Sequence, residues 1–458
     1  MNTYFFNDLL GTIVERGRSI IERGQGRAAT DDDLADLAET LVGGRGEASG
    51  VAVAATLLDG YAALDREARV GFFEILAERF GAPPEPLAAA ARAFLEQPDD
   101  THALRLHDVS ESRRQELIRR LNRAPGGTAA LVAMRADLLR ELRERPELAA
   151  VDHDFRHLLS SWFNRGFLVL RRIDWSTPAV VLEKVIRYEA VHRINGWEDL
   201  RRRIDPADRR LYAFFHPALV DDPLIFVEVA LTGDIPSAIG PILAEERQPL
   251  DPKRASTAVF YSISNCQEGL RGISFGHFLI KQVVEELARD FPALDTFVTL
   301  SPVPGFRAWL DQERGKEGPA VLTAADRALL DELDDPGWTA DEATVAAARP
   351  VLLALGASYF HQSLTKHGTP TDPVARFHLG NGARLERVNF LADGSPKALA
   401  ASHGLMVNYL YDPRQIERHH EAYANEGKIA VSPAVRRLVR KTSQREPPQP
   451  ESAIASHE

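Results

Sequence analysis

At 458 residues the chain is too long for one ordinary hydrophobic core, so two domains are the natural expectation. Its composition, 44% apolar and 26% charged, is ordinary for a soluble globular protein, and no run approaches the ~18–20 consecutive apolar residues of a membrane span. The net charge of −11 argues against nucleic acid as the partner, because neutralising phosphates requires a basic face.

Residues 1–167 read as an all-α domain. Leu9, Leu10, Ile13, Ile20 and Ile21 trace one apolar stripe. Thr30 ahead of Asp31, Asp32 and Asp33 predicts a helix start with acids in the first turn. Ser112 and Gln115 have the spacing of a capping box ahead of Leu117, Ile118 and Leu121. Breakers at Gly43-Gly44, Pro83-Pro84, Pro98 and Pro125-Gly126-Gly127 divide the segment without a repeating period, and an antiparallel helical bundle is the simplest architecture.

From Gly166 the pattern changes. Residues 168–173, 224–231, 258–263 and 296–300 are short runs rich in β-branched and aromatic side chains, which predicts strands. Residues 180–190 and 276–291 predict helices, the second with Leu279, Val283, Leu287 and Phe291 on one face. Residues 168–442 therefore read as an α/β domain around a mixed sheet. Within it, residues 311–350 form an acidic helical insertion, and residues 443–458 are a polar, proline-rich tail expected to be disordered.

Cys266 is the single cysteine, which excludes an intrachain disulfide and suits a reducing compartment. Read alone it is a small packed residue, although it lies beside the loop singled out below. The N-terminal residues lack signal-peptide architecture, and the ending Ala455-Ser456-His457-Glu458 is neither a peroxisomal nor a prenylation signal. The chain is expected to be cytoplasmic.

The most informative segment is residues 261–306, YSISNCQEGLRGISFGHFLIKQVVEELARDFPALDTFVTLSPVPGF. A strand runs into a turn spaced by Gly269, Gly272 and Gly276, then into an amphipathic helix and a second strand. Unpaired backbone N–H groups and the helix dipole at such a helix start favour an anion such as a pyrophosphate. The spacing is neither a Walker pattern nor a GxGxxG, so on its own it reads equally as a glycine-rich turn. An anionic ligand on an acidic protein needs a local positive site. Arg271, Lys281 and the run Arg201, Arg202, Arg203 are candidates, the run reading first as a solvated helix face.

The pieces YSISNCQEGLRG, FLIKQVVEELARDFP and LSPVPGF with Trp309-Leu310 resemble the malonyl-CoA decarboxylase family, whose catalytic domain has the N-acetyltransferase (GNAT) fold. The resemblance extends through SSWFNRGFLVLRRIDW at the domain junction, VALTGDIPSAIGPIL, DPVARFHLGNGARLERVNFLAD and SHGLMVNYLYDP. The helical part resembles the family by length and type more than by residue.

The resemblance implies a helical domain followed by a GNAT-like catalytic domain that decarboxylates malonyl-CoA. It implies that Arg271, Gly272, Ile273, Ser274, Phe275, Gly276 and His277 hold the coenzyme A pyrophosphate. It places the family's proton donor at His378 and its second catalytic residue at Ser301. The family's serine is usually described as a proton acceptor. A hydroxyl with no base beside it in sequence is a poor base, so a hydrogen bond to the malonyl carboxylate or thioester oxygen is the preferred reading. Without the resemblance, His378 would read as a packed histidine and Ser301-Pro302 as a turn. Asn408 and Tyr411 match family positions as candidates supporting the catalytic pair, without an assigned task, and no acidic role transfers to Ser274, where animal members carry Glu.

Coenzyme A is part of the substrate, and neither metal nor organic cofactor is expected, since the thioester itself accepts the electrons. His153 and His157, one helical turn apart, and His419-His420-Glu421 read as exposed helix faces rather than metal ligands. The absence of a Gly-x-Ser-x-Gly elbow counts against a hydrolase. The alternatives are an acyl-CoA N-acyltransferase of the same fold and a non-enzymatic assembly scaffold. A helical layer of this size also needs apolar partner surface, which with the resemblance implies a homodimer or homotetramer held without disulfides.

Overall fold

A computed structural model describes residues 30–43, 46–273, 275, 279–316, 321–364 and 368–439. The apolar stripe at residues 9–21 and the tail at 443–458 lie outside the described residues. The chain divides into two compact units. One comprises residues 1–171, 213–225 and 265–276, the other residues 172–212, 226–264 and 277–458.

The first unit is helical. Its described helices are α1 (Asp31–Val42), α2 (Glu47–Ala63), α3 (Arg66–Arg79), α4 (Pro84–Glu96), α5 (Asp100–Ser110), α6 (Arg113–Leu121), α7 (Gly127–Glu141) and α8 (Ala149–Trp162). Helix α1 starts where expected, and Thr30 and Asp33 cap each other reciprocally.

The box expected at Ser112 is only half formed. Ser112 Oγ accepts from Gln115 N at 3.4 Å, but the Gln115 amide turns instead to Asp154 at 2.9 Å. The reason is the charge of Asp154, buried on α8, which also takes Ser112 Oγ and Arg114 Nε, each at 2.7 Å. Asp154 thus ties α6 to α8, while His153 and His157 stay exposed. Helices α4 and α5 pack on each other as a hairpin; α5 buries no residue, and Leu95 and Leu104 are 79% and 64% exposed.

A mixed sheet of eight strands, most of its residues in the second unit, comprises β1 (Val169–Ile173), β2 (Arg209–Phe215), β3 (Pro223–Thr232), β4 (Thr257–Asn265), β5 (Thr296–Thr299), β6 (Ser301–Pro302), β7 (Arg384–Asn389) and β8 (Met406–Leu410). The order is β1-β2-β3-β4-β5-β8-β6, with β7 on β8. Strand β4 is parallel to β5, whereas β8 is antiparallel to β5, β6 and β7. The helices of this unit are α9 (Ala179–Tyr188), α10 (Trp197–Ile204), α11 (Gly240–Leu243), α12 (Leu279–Asp290), α13 (Phe306–Arg314), α14 (Ala324–Glu332), α15 (Glu342–Gln362), α16 (Pro373–Gly380), α17 (Pro396–Ser402), α18 (Ile416–Glu426) and α19 (Pro433–Leu438). Parallel strands need a crossover, and α12 provides it between β4 and β5, burying Leu279, Val283 and Leu287 as its periodicity requires.

Two expectations need correction here. The arginine run on α10 is not wholly a solvated face. Arg203 is buried and donates to the fully buried Glu228 at 3.1 Å, while Arg201 stacks on Trp175 and Arg202 pairs with Glu245. Helix α15, 21 residues, is long and apolar enough to cross a membrane by length and composition, although no stretch was expected to be. Its face of Leu352, Leu355, Ala357 and Phe360 is buried in this unit, where α15 packs on β7 and α19.

Candidate active site

The end of β5 and its continuation in β6 place Ser301. Val298 pairs with Leu410 and Ser301 with Val407, so β8 runs alongside both short strands. Side chains two apart on a strand share a face. Thr299 and Ser301 accordingly meet, with Ser301 Oγ donating to Thr299 Oγ1 at 2.9 Å, and Thr299 Oγ1 also accepts from Tyr409 N at 3.1 Å.

Helix α16 places His378. Asp372 caps it, with Oδ1 accepting from Val374 N and Ala375 N, and Pro373 sets the first turn. The second oxygen of Asp372 accepts from Gly305 N and from the Tyr359 hydroxyl, both at 3.3 Å. One buried carboxylate therefore fastens the Ser-Pro-x-Pro-Gly turn to the start of the histidine helix. The helix ends at Gly380, and Gly382 just beyond the Asn381 cap has φ +81° and would place an added Cβ 2.1 Å from the Ile416 carbonyl oxygen.

His378 is buried and its two ring nitrogens are both engaged. Nε2 lies 3.1 Å from Ser301 Oγ and Nδ1 lies 2.8 Å from the Tyr411 hydroxyl. The ring stacks on Tyr409 at 4.7 Å between centroids. Because the Ser301 hydroxyl donates to Thr299, Ser301 is left as acceptor for Nε2–H, and Nδ1 accepts from the Tyr411 hydroxyl. Burial, with no charged neighbour to oppose it, pushes the His378 pKa down to about 3, so the resting imidazole is neutral at pH 7. Burial raises the Tyr409 and Tyr411 hydroxyls well above their ordinary range.

Of the residues expected in the site, Ser301, His378 and Tyr411 come together. Asn408 does not join them. It lies one position out of phase on β8, donates to the Thr299 carbonyl at 2.8 Å, and accepts from Asn389 and Arg387. Its place is in the strand framework behind Thr299.

The candidate pyrophosphate loop follows β4. Arg271 and Gly272 are exposed, Ile273 and Phe275 are buried, and Ser274, Gly276 and His277 lie outside the described residues. Gly272, at φ +78°, has open space where a side chain would project. Gly269 has a different task from the ligand approach expected of it: an added Cβ would lie 1.8 Å from the Val132 carbonyl oxygen on α7. Lys281 bonds Glu417 at 2.7 Å, and the Cys266 thiol is buried. Among the described residues no three His, Cys, Asp or Glu side chains cluster as a metal site would require.

Thr299, Tyr409 and Asp372 were missed in the sequence. Thr299 and Tyr409 each stand two residues before a residue that was found, and strand periodicity is enough to point to them. Asp372-Pro373 is a helix-start signal.

A model of the malonyl-CoA decarboxylase C-terminal domain matches residues 166–448, and one of the N-terminal domain matches residues 80–163. The chain belongs to the malonyl-CoA decarboxylase family. The mitochondrial malonyl-CoA decarboxylase of Anser anser anser is 38% identical over 350 residues, which is 70% of this chain and 68% of that one. The enzyme of Rattus norvegicus, also named mitochondrial, is 37% identical over 360 residues, 73% of each chain. Two crystal structures are more similar still. Malonyl-CoA decarboxylase from Rhodopseudomonas palustris is 57% identical with a TM-score of 0.87, covering 89% of this chain and 100% of that one. The one from Agrobacterium vitis is 56% identical with a TM-score of 0.84 and the same coverage. In this malonyl-CoA decarboxylase family member, the FHLGNG and LSPVPGF motifs meet at the His378–Ser301 contact.

Proposed function

We propose that this chain decarboxylates malonyl-CoA to acetyl-CoA and CO2 at the Ser301–His378–Tyr411 group. The hydrogen-bonded contact of Ser301 with His378, in a chain of this family, is the observation that carries the reading.

The chemistry needs the malonyl carboxylate held out of the thioester plane. The breaking C–C bond then feeds its electron pair into the thioester carbonyl, giving CO2 and an enolate. Ser301 is the donor to the carboxylate or to the thioester oxygen, its hydroxyl turning from Thr299 to the substrate. The substrate's negative charge passes from carboxylate to enolate without leaving the site. That charge opposes the burial that keeps His378 neutral and draws a proton onto the ring. His378 then protonates the enolate carbon and completes acetyl-CoA, with one proton taken up from solvent per turnover. Tyr411 holds Nδ1 and thereby the ring's orientation.

Residues 271–277 are the proposed pyrophosphate loop, within a catalytic domain of residues 168–442 that follows a helical domain of residues 1–167. The thioester is the electron sink, so chelation of metals should leave the rate unchanged. The helical domain is proposed to hold a homodimer or homotetramer, for which the exposed Leu95 and Leu104 of the α4–α5 hairpin offer apolar surface. For the compartment we propose the cytoplasm, testable by fractionation; a single buried cysteine suits reducing conditions.

Purified protein incubated with malonyl-CoA, with and without an amine, tests the function. Stoichiometric acetyl-CoA and CO2 independent of the amine are expected. Acyl transfer to the amine without CO2 would return the N-acyltransferase reading.

A further inference from the structure

Residues 265–276 group with the helical unit, and α7 of that unit fastens their turn in three ways. Gly269 packs so closely on α7 that no side chain fits beneath the Val132 carbonyl. Arg135, only 1% exposed, donates through Nη1 to the carbonyl oxygens of Gly269 at 2.6 Å and Arg271 at 3.0 Å, while its Nε is held by Asp152 at 2.8 Å. Arg140 reaches Glu268 at 2.6 Å.

The direction of these bonds matters. In a trans peptide the carbonyl and the following N–H point opposite ways, and no described peptide is cis. Holding the Gly269 carbonyl against Arg135 turns Leu270 N–H back into the turn, where it meets the Gln267 carbonyl at 3.0 Å. Holding the Arg271 carbonyl in the same way turns Gly272 N–H away from the guanidinium, at an exposed residue with a left-handed φ and open space where a side chain would project. Arg135 is a planar fork whose Nε holds the acid while Nη1 holds both carbonyls, which fixes the two ends relative to each other.

We infer that α7 of the helical unit is part of the coenzyme A site, with Arg135 as the positioning residue that aims the Gly272 amide and the Arg271 side chain at the pyrophosphate. The inference rests on reading residues 271–277 as the pyrophosphate loop. The helical unit then has a share in substrate affinity as well as in assembly.

The test uses the full chain, calorimetric titration with coenzyme A, malonyl-CoA kinetics and thermal melting. Arg135→Met and Gly269→Ala should each weaken coenzyme A about tenfold or more, the worth of one charge-assisted hydrogen bond. KM should rise in parallel while kcat at saturation changes by less than about threefold, the pattern of lost ground-state binding. Arg135→Lys keeps the charge without the fork and should fall between. Unchanged affinity in folded Arg135→Met and Gly269→Ala proteins overturns the inference; should Arg135→Met fail to fold, Gly269→Ala decides. Arg271→Ala separates the two layers. If it weakens binding while the α7 variants do not, only the part assigned to α7 falls. If it too binds as wild type, the loop reading falls.

Discussion

At the residue scale, the site is a chain of hydroxyls closed around one neutral imidazole. Ser301→Ala removes the proposed donor to the substrate and should lower kcat by about 10²–10³ with the fold intact. Near-normal turnover would return Ser301 to a plain turn residue. Thr299→Val keeps the shape but leaves Tyr409 N and Ser301 Oγ without their shared acceptor, and kcat should fall about tenfold, with Thr299→Ser restoring most of it. The pH behaviour follows from burial. His378 titrates at about 3 in the folded protein against roughly 6.5 unfolded, so kcat/KM should show no inflection near pH 6.5 from the free enzyme. The same depression means that the unfolded chain binds the proton first as acid is added. The contribution to stability is complete above about pH 6.5 and is lost as the pH falls toward 3. The stability difference between wild type and His378→Gln, measured by denaturant titration, should therefore shrink over that interval. His378 and Ser301 were legible only because of the motifs around them. The pair contact itself was not, because 77 residues separate them and nothing local announces it.

At the element scale, the sequence announced most helix starts and strands because caps and alternation are local. Thr30 before three aspartates behaved as read. Ser112 and Gln115 did not, because a buried carboxylate 39 residues beyond Gln115 outcompeted the local box. Gly269 shows the same limit. Its neighbours suggested a ligand approach, whereas the approach is to the backbone of α7, which no local pattern encodes. Asp372 joins the turn after Ser301 to the helix of His378 through four hydrogen bonds, and burial raises its pKa. Asp372→Ala would leave Gly305 N–H, the Tyr359 hydroxyl and the first amides of α16 without their acceptor. We expect a loss of about 2–4 kcal/mol by urea denaturation, from the lost cap and the buried orphans together, with kcat reduced as Ser301 and His378 drift apart. A loss below about 1 kcal/mol, the usual size for one exposed cap, would mean that the carboxylate is not the staple described.

At the scale of the whole molecule, two domains were legible from length and from the change of periodicity near Gly166. That residues 213–225 and 265–276 group with the helices was not, since it depends on contacts far apart in sequence. The α4–α5 hairpin buries too little on its own to explain its exposed leucines, and closed symmetric oligomers are the common way to cover such surface. Light scattering under reducing conditions should report a dimer or tetramer. A monomer at micromolar concentration would contradict this.

His378 is proposed to move the proton, and the loop after β4 to bind the coenzyme. This division of roles is tested most directly by measuring, on one preparation of His378→Ala, both kcat with malonyl-CoA and the affinity for coenzyme A. The expected result is kcat reduced by about 10²–10⁴, the usual worth of a general acid, with affinity unchanged. Weakened affinity with kcat preserved would contradict it.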